Sequence, residues 1–348
     1  MVVRLNSTEK LMMVTSSEAF LSKYQKKKVE VYKNQVAKKP LVSICVQTYN
    51  HEPYIGECLD SLINQVVDFD YEILLGEDAS NDNTRKICIE YADKYPEKIR
   101  LFFHHRENNI KVNGAPTGKF NYFYNLISSN GKYIAFCEGD DYWIDSNKLQ
   151  KQVDFMELKG DCNITWTDYK IFNGNSFGDT DFKFDQKEIK LDYHNIFRPY
   201  CTYTLTALFR KSALDFETLF SLKRFKDNSL YILLLKDSYG VFLNFISAVY
   251  RVHEGGVYSL KSNLFKNYSS YKNLKEVTDL VPESKTQNIK KVLRSLGNAA
   301  AFEILKLKYA GEDLSKEHLD FMSDYFKNAD MKNKFKYYRR LIKLRFLK

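Results

Sequence analysis

Short apolar runs that stop abruptly in polar turns recur through the first half of the chain. Leu41–Val46, Tyr71–Leu75, Ile99–Phe103 and Tyr133–Cys137 are such runs, and each reads as a buried strand. Between them apolar residues return at helical spacing. Tyr54, Cys58 and Leu62 follow Pro53, a residue suited to a first helical turn; a second helix runs to about Tyr95, and a third spans Lys119–Ser129. Strands alternating with helices predict an α/β fold with a mostly parallel, doubly wound sheet. In such sheets ligands bind at the carboxyl ends of the strands. The polar segments 47–52, 76–84 and 138–142 all follow strand ends, so one crevice should collect them.

Beyond this half the pattern loosens. Lys148–Leu158 reads as a helix, Ile164–Phe172 as a strand, 173–192 as an irregular mobile loop and Tyr200–Phe209 as a strand. A short apolar helix, Leu230–Leu235, precedes a last strand, Val241–Tyr250, and from Leu260 onward only helical spacing remains. Three parts follow: a basic helical extension over 1–39, a main domain over 40–259 and a helical region over 260–348. The last of these ends in a basic stripe, with Phe335, Tyr338, Ile342 and Phe346 on one helical face.

Composition narrows the class. With 44% hydrophobic and 28% charged residues, the 348-residue chain reads as a soluble globular protein. Its longest uncharged run, Ser238–Tyr250, is too short to span a bilayer. Leu11–Thr15 is too short for a secretory signal. Six scattered cysteines with no Cys-x-x-Cys pair suggest reduced thiols, hence a cytoplasmic setting. The net charge of +9 sits at the ends, because residues 331–348 carry eight Lys/Arg and no acid while the body is mildly acidic. An acidic body excludes a nucleic-acid-binding one. The basic tail is instead expected to meet an anionic membrane peripherally.

The chemistry concentrates in Glu138-Gly-Asp140-Asp141, at the end of a buried strand. Carboxylates crowded there call for a cation, and a hard divalent ion commonly joins carboxylates to phosphate oxygens. No Gly-x-Gly-x-x-Gly follows the first strand, which argues against a dinucleotide site. Gly114-Ala-Pro-Thr-Gly-Lys-Phe120 is one residue short between its glycines and lacks the Ser/Thr of a phosphate-binding P-loop.

Four stretches, in order, resemble the family 2 glycosyltransferases of the GT-A, Rossmann-like fold: Val42-Ser-Ile-Cys-Val-Gln-Thr-Tyr-Asn50, Glu77-Asp78-Ala-Ser-Asn-Asp82-Asn-Thr84, Gly131-Lys-Tyr-Ile134 with Glu138–Trp143, and Tyr250–Ser259. The resemblance implies an inverting transfer of a sugar from a nucleotide-sugar, by default a UDP-sugar, to a saccharide or lipid-linked acceptor in surface polysaccharide synthesis. It implies a divalent cation, Mn²⁺ or Mg²⁺, on Asp140 with His253 as a further ligand. Thr48, Tyr49, Asn50, Asp78, Lys119, Asn121, Glu138, Gly139, Asp141 and Arg251 would hold the nucleotide-sugar, and Asp227 would be the general base. A cytoplasmic enzyme, peripheral on the inner face of the plasma membrane, is the corresponding expectation.

The residue types leave simpler roles open. Asp227 suits a helix N-cap, Asp78 and Asp82 a turn and cap, Lys119 and Asn121 a solvated helix start, and His253 a loop position. Two other readings of the chain compete: a degenerate GT-A domain that binds without catalysing, and a sugar-phosphate nucleotidyltransferase. The second should carry a Gly-rich loop after the first strand, and Val46-Gln-Thr-Tyr-Asn50 has none.

Overall fold

The computed structural model describes residues 16–342, apart from 113, 198–199, 257–260, 281–286, 329–330, 332–333, 336 and 340–341. The sequence-predicted segment Val257-Tyr-Ser259, and Lys332, Lys336, Arg340, Lys343 and Phe346 of the tail, lie outside the described residues. The chain divides into two units. One comprises Met1–Asp192 with Arg198–Val252, the other Tyr193–Phe197 with His253–Lys348.

The first unit is built on β2 (Val42–Thr48), β3 (Tyr71–Glu77), β4 (Ile99–Phe103) and β7 (Tyr133–Phe136), alternating with α2 (Ile55–Ile63), α3 (Thr84–Lys94) and α4 (Lys119–Ser128). These four strands are parallel, in the order β4-β3-β2-β7. Ile44, Val46, Ile73, Leu75, Leu101 and Ala135 are fully buried in one core cluster with Cys58, Leu59 and Leu62 of α2. Burial on both faces is why these strands read as continuous apolar runs and not as alternating ones.

Past β7 the sheet becomes mixed. The strands β9 (Cys162–Phe172), β12 (Leu208–Arg210) and β13 (Tyr239–Arg251) extend it, with β12 antiparallel to both β7 and β9, and β13 parallel to β9. The helices α5 (Lys148–Leu158), α6 (Phe216–Ser221) and α7 (Asp227–Leu234) lie between them in the chain. The two-residue β8 (Tyr142–Trp143) pairs antiparallel with Ala248 and Val249 of β13, so the 138–143 segment is stitched to the last strand. Register shifts between Leu243, Ile246 and Ala248 bend β13 before it reaches that point.

Several elements differ from the sequence reading. Tyr200–Phe209 is not one strand: Thr204–Thr206 forms a 3₁₀ turn and only Leu208–Arg210 pairs. The segment expected to be a loop carries β10 (Phe177–Asp179) and β11 (Glu188–Leu191), which pair with β9 and β13. Among its described residues the N-terminal extension holds one helix, α1 (Ser17–Tyr24), capped by Ser16 and anchored by Phe20 among Phe120, Phe123 and Phe220. It then adds β1 (Glu30–Val31) to the outer edge of β4. A separate hairpin of β5 (Lys111–Val112) and β6 (Ala115–Pro116) lies in the loop before α4. All six cysteines are buried, free thiols, as their apolar surroundings suggested.

The second unit is helical: α8 (Asn263–Thr278), α9 (Gln287–Ala310) and α10 (Lys316–Asn328). Its core joins Tyr268, Ala300, Ala301, Ile304, Phe321 and Tyr325. Among the described residues no helix is long and apolar enough to cross a membrane.

Candidate active site

Parallel pairing of β2 with β3 and β7 sets Thr48 opposite Glu77 and Cys45 opposite Phe136, so three polar turns emerge side by side. Hydrogen bonds sew them together. Asp78 N–H donates to Thr48 O at 3.0 Å, Gly139 N–H to Gln47 O at 3.0 Å, and Asn50 N–H to Ser80 Oγ at 3.0 Å. The Asn50 side chain accepts from Asn81 N–H at 2.8 Å. Asn50 and Ala79 both hold a positive φ, 54° and 57°. Asn tolerates that conformation; Ala does so at a cost, and Ala79 stands where the resembling motif carries Gly. Asp82 accepts from Thr84 N–H and Glu52 N–H at 3.0 and 3.1 Å, so it makes the turn its position allowed, while the N-cap of α3 is Asn83.

The first corner of the site is a planar stack. The Arg106 guanidinium lies 3.9 Å from the centre of the Tyr49 ring and pairs with Asp78 Oδ2 at 2.5 Å. Asn109 Nδ2 donates to the same oxygen at 2.9 Å. Burial pushes the Asp78 carboxyl up, opposed by the Asn109 hydrogen bond and the Arg106 charge. Arg106 and Asn109 were not identified from the sequence. They belong to a polar loop with no motif spacing, and only its fold-back onto Asp78 gives them a role.

The second corner is the acidic turn. Gly139 is there because nothing larger fits: a Cβ would lie 2.8 Å from Thr48 Oγ1 and 2.9 Å from His51 Nδ1. Thr48 itself is 2% exposed. Asp141 is buried and its Oδ1 accepts from Arg251 N–H at 2.8 Å. Burial first, then the neighbouring Asp140 and Glu138, pushes its carboxyl well up. Glu138 is reached by solvent yet enclosed by protein; burial, then Asp140, then Asp227, raises it to about 8. Asp140 is more open, 21% exposed at its side chain, with His51 Nε2 at 3.8 Å.

The third corner is Asp227, the first residue of α7; the backbone N-cap is Lys226. The Asp227 carboxylate accepts from its neighbour Asn228 N–H at 2.8 Å and from Thr204 Oγ1 at 3.3 Å. Burial raises its pKa against the opposing pull of Asn228 and Lys226. Glu138 and Asp227 act on one another electrostatically, and the Tyr122 and Tyr231 hydroxyls feel both. The fold therefore brings residues 89 positions apart in sequence into one acidic site.

Other candidate residues have structural partners. Arg251 is 7% exposed; its guanidinium donates to Asp140 O at 2.7 Å, bonds Glu57, and covers the Tyr142 ring at 4.2 Å. It braces the acidic turn against α2. Lys119 Nζ donates to Leu222 O at 2.6 Å, and Asn121, 3% exposed, donates to Gly76 O at 2.8 Å. Neither is the solvated helix start that its position suggested, since each ties α4 to another segment. His253 falls in the second unit, where its carbonyl accepts from Gly256 N–H at 3.1 Å.

Among the described residues no three His, Cys, Asp or Glu side chains converge to hold an ion unaided. The donor set nonetheless fits a cation. Asp140 raises the proton affinity of Glu138, and both raise that of Asp141, so negative charge crowds the turn. A Mg²⁺-type ion is commonly held by one or two carboxylates with ligand phosphates completing its shell.

Comparison with known proteins identifies the family and the fold. Residues 43–216 match the model of "Glycosyl transferase family 2". The Escherichia coli protein WfgD, a UDP-Glc:alpha-D-GlcNAc-diphosphoundecaprenol beta-1,3-glucosyltransferase, is 30% identical over 228 residues, covering 65% of this chain and 81% of that one. Among solved structures, Staphylococcus aureus TarS 1-349 in complex with UDP-GlcNAc superposes with a TM-score of 0.53 at 18% identity, over 87% of this chain and 80% of that one. The mannosyltransferase PcManGT of Pyrobaculum calidifontis, in complex with GDP-Man and Mn²⁺, gives 0.51 at 13% identity, over 92% and 89%. The chain spans 38% of the length of mycobacterial relatives that it matches at 35% identity over 141 residues, 40% of this chain.

Proposed function

The chain belongs to glycosyl transferase family 2 and has the GT-A fold. From that premise we propose that it transfers a sugar from a nucleotide-sugar, a UDP-sugar by default, to a saccharide or lipid-linked acceptor in surface polysaccharide synthesis. The observation that carries this reading is that the Asp227 carboxylate acts electrostatically on Glu138, in the acidic turn that follows β7 beside the ends of β2 and β3. Donor and acceptor class are supported by the relatives' own descriptions, a UDP-Glc enzyme acting on a diphosphoundecaprenol-linked sugar and a protein crystallised with UDP-GlcNAc.

In this reading the base sits beside the Tyr49–Arg106 stack, and Asp78 with Asn109 reads its edge. Thr48 and Asn50 shape the turn beneath the nucleotide, and Glu138, Gly139 and Asp141 set the floor under its ribose and sugar. Lys119, Asn121 and Arg251 act through the segments they brace. Asp140 would hold the divalent ion, which when bound stabilises negative charge on the departing diphosphate. Asp227 takes the acceptor hydroxyl proton as the acceptor oxygen bonds the anomeric carbon. The bond from that carbon to the β-phosphate oxygen breaks, and the nucleoside diphosphate leaves with the electron pair. Approach opposite the leaving group inverts the anomeric centre. A base whose pKa burial raises from the ordinary value suits this task, because a proton moves more readily to a stronger base.

The test is release of nucleoside diphosphate from UDP-glucose, UDP-GlcNAc and GDP-mannose, with and without Mn²⁺. Asp227→Asn should lower acceptor-dependent turnover by roughly 10²–10⁴ and leave donor affinity nearly intact. Asp140→Asn should abolish both turnover and metal-dependent nucleotide binding. Absence of release from every nucleotide-sugar would overturn the assignment.

We extend the reading to the tail. Met331, Phe335, Tyr338 and Ile342 fall on one helical face and are 78%, 69%, 59% and 54% exposed. Tyr337, off that face, packs on Phe326 at 3.9 Å. An apolar stripe left in solvent, within a segment carrying eight Lys/Arg and no acid, suits the surface of an anionic bilayer on which lipid-linked acceptors reside.

A further inference from the structure

His51 is held more firmly than a loop histidine needs to be. Asn50, at φ 54°, turns the chain out of β2. The His51 N–H then donates to Thr84 Oγ1 at 2.8 Å, and its carbonyl accepts from Tyr54 N–H and Ile55 N–H, both at 2.9 Å. Its ring passes over Gly139, with Nδ1 only 2.9 Å from where a Cβ would stand. The Tyr54 ring centre lies 6.4 Å away on another side. The result is a fixed imidazole whose Nε2 faces Asp140 Oδ2 at 3.8 Å, the two side chains 18% and 21% exposed.

That separation is informative. A charge-assisted N–H···O⁻ hydrogen bond closes to about 2.7–2.9 Å, so this pair is too long to be one. A water about 2.8 Å from each atom would reach both only at an acute angle. Two ligands on one first-row divalent ion sit about 2.1 Å from it, so they stand between about 3.0 Å apart when adjacent and about 4.2 Å when opposed. The gap lies between those two separations, so one ion spans it after a shift of less than about 1 Å in either side chain.

We propose that His51 Nε2 is a protein ligand of the divalent cation, shared with Asp140, with the donor's phosphate oxygens completing the shell. The inference rests on the glycosyltransferase reading above, and names a ligand that the sequence motifs did not. Glu138 then serves the nucleotide-sugar and not the ion. An imidazole in the donor set shifts preference away from Mg²⁺ toward transition ions such as Mn²⁺ and Co²⁺.

Electron spin-echo spectroscopy of the protein with Mn²⁺ and UDP tests this directly. A histidine ¹⁴N coupling to the bound Mn²⁺ should appear, and should change to the ¹⁵N pattern in native protein grown with [¹⁵N]histidine. It should vanish in His51→Gln and His51→Ala and persist in His253→Ala. His51→Ala should also weaken UDP-dependent Mn²⁺ binding by about 10–100-fold while changing Mg²⁺ binding less. The isotope experiment uses the unaltered chain, so a folding defect in a variant cannot mask the result. Bound Mn²⁺ without an isotope-sensitive coupling, or a coupling lost only in His253→Ala, overturns the role of His51 and leaves the transfer reading standing. Absence of both nucleotide-dependent Mn²⁺ binding and nucleoside diphosphate release overturns the two together.

Discussion

Arg106 bonds Asp78 Oδ2 at 2.5 Å while its guanidinium lies 3.9 Å from the centre of the Tyr49 ring. One side chain thus neutralises a buried carboxylate and roofs an aromatic ring, using the planarity that distinguishes Arg from Lys. Arg106→Ala leaves Asp78 with Asn109 alone. The expected cost is about 1–3 kcal/mol in urea unfolding, from a buried acceptor left short of a donor. UDP affinity by calorimetry should fall at least tenfold. Arg106→Lys should recover part of the stability and little of the UDP affinity, because an ammonium cannot stack.

Ala79 carries a strain that a single substitution relieves. At φ 57° its Cβ crowds the backbone, which costs about 1–2 kcal/mol relative to a residue without one. Ala79→Gly recovers part of this, less the added chain entropy of Gly in the unfolded state. A gain of about 0.5–1 kcal/mol in denaturant unfolding is expected, with nucleotide affinity unchanged.

The acidic turn should make metal-free stability depend on pH. Burial raises Glu138 to about 8, so the folded chain holds its proton where the unfolded chain, with an ordinary carboxyl, has lost it. Between the ordinary carboxylate pKa and about 8 the native state binds more protons, and stability falls as pH rises. The contribution is fully present below the unfolded pKa and is lost as pH passes about 8. Glu138→Gln should flatten this slope in Tm measured from pH 5 to 9. A slope that persists in Glu138→Gln would assign it to Asp141 or Asp227, whose carboxyls are raised in the same sense.

The tail is checked with vesicles. Full-length protein should sediment with liposomes containing anionic phosphatidylglycerol and not with neutral ones, and binding should weaken as salt screens the charges. Phe335→Ser with Ile342→Ser should reduce sedimentation without lowering Tm, because both side chains are exposed. Equal sedimentation of the double variant and the native chain would refute docking by this face.

Much of the fold was legible because its causes are local. Continuous apolar runs such as Ile73–Leu75 announce strands buried on both faces, and Pro53 and Asp82 mark helix starts that the structure contains. The order of the polar turns after β2, β3 and β7 was enough to expect them in one crevice, since parallel strands put their carboxyl ends together. The family resemblance rested on those same turns and agrees with the family match.

What the sequence left undecided depends on distance through space. Tyr200–Phe209 has strand-like residue types, yet a 3₁₀ turn takes Thr204–Thr206, and Thr204 there donates to Asp227. β1 is two exposed residues, too short to carry a period, and exists only because β4 offers an open edge. No spacing marks the closure of the Arg251 guanidinium on Asp140 O and Glu57. Arg106, Asn109 and His51 have no spacing that marks them. Their positions follow from a loop folding onto Asp78 and from a missing Cβ at Gly139. Periodicity and turn chemistry act over a few residues and are written along the chain. Charge pairing, close approach and shared burial act over a few ångströms, and exist only once the strands have set remote residues side by side.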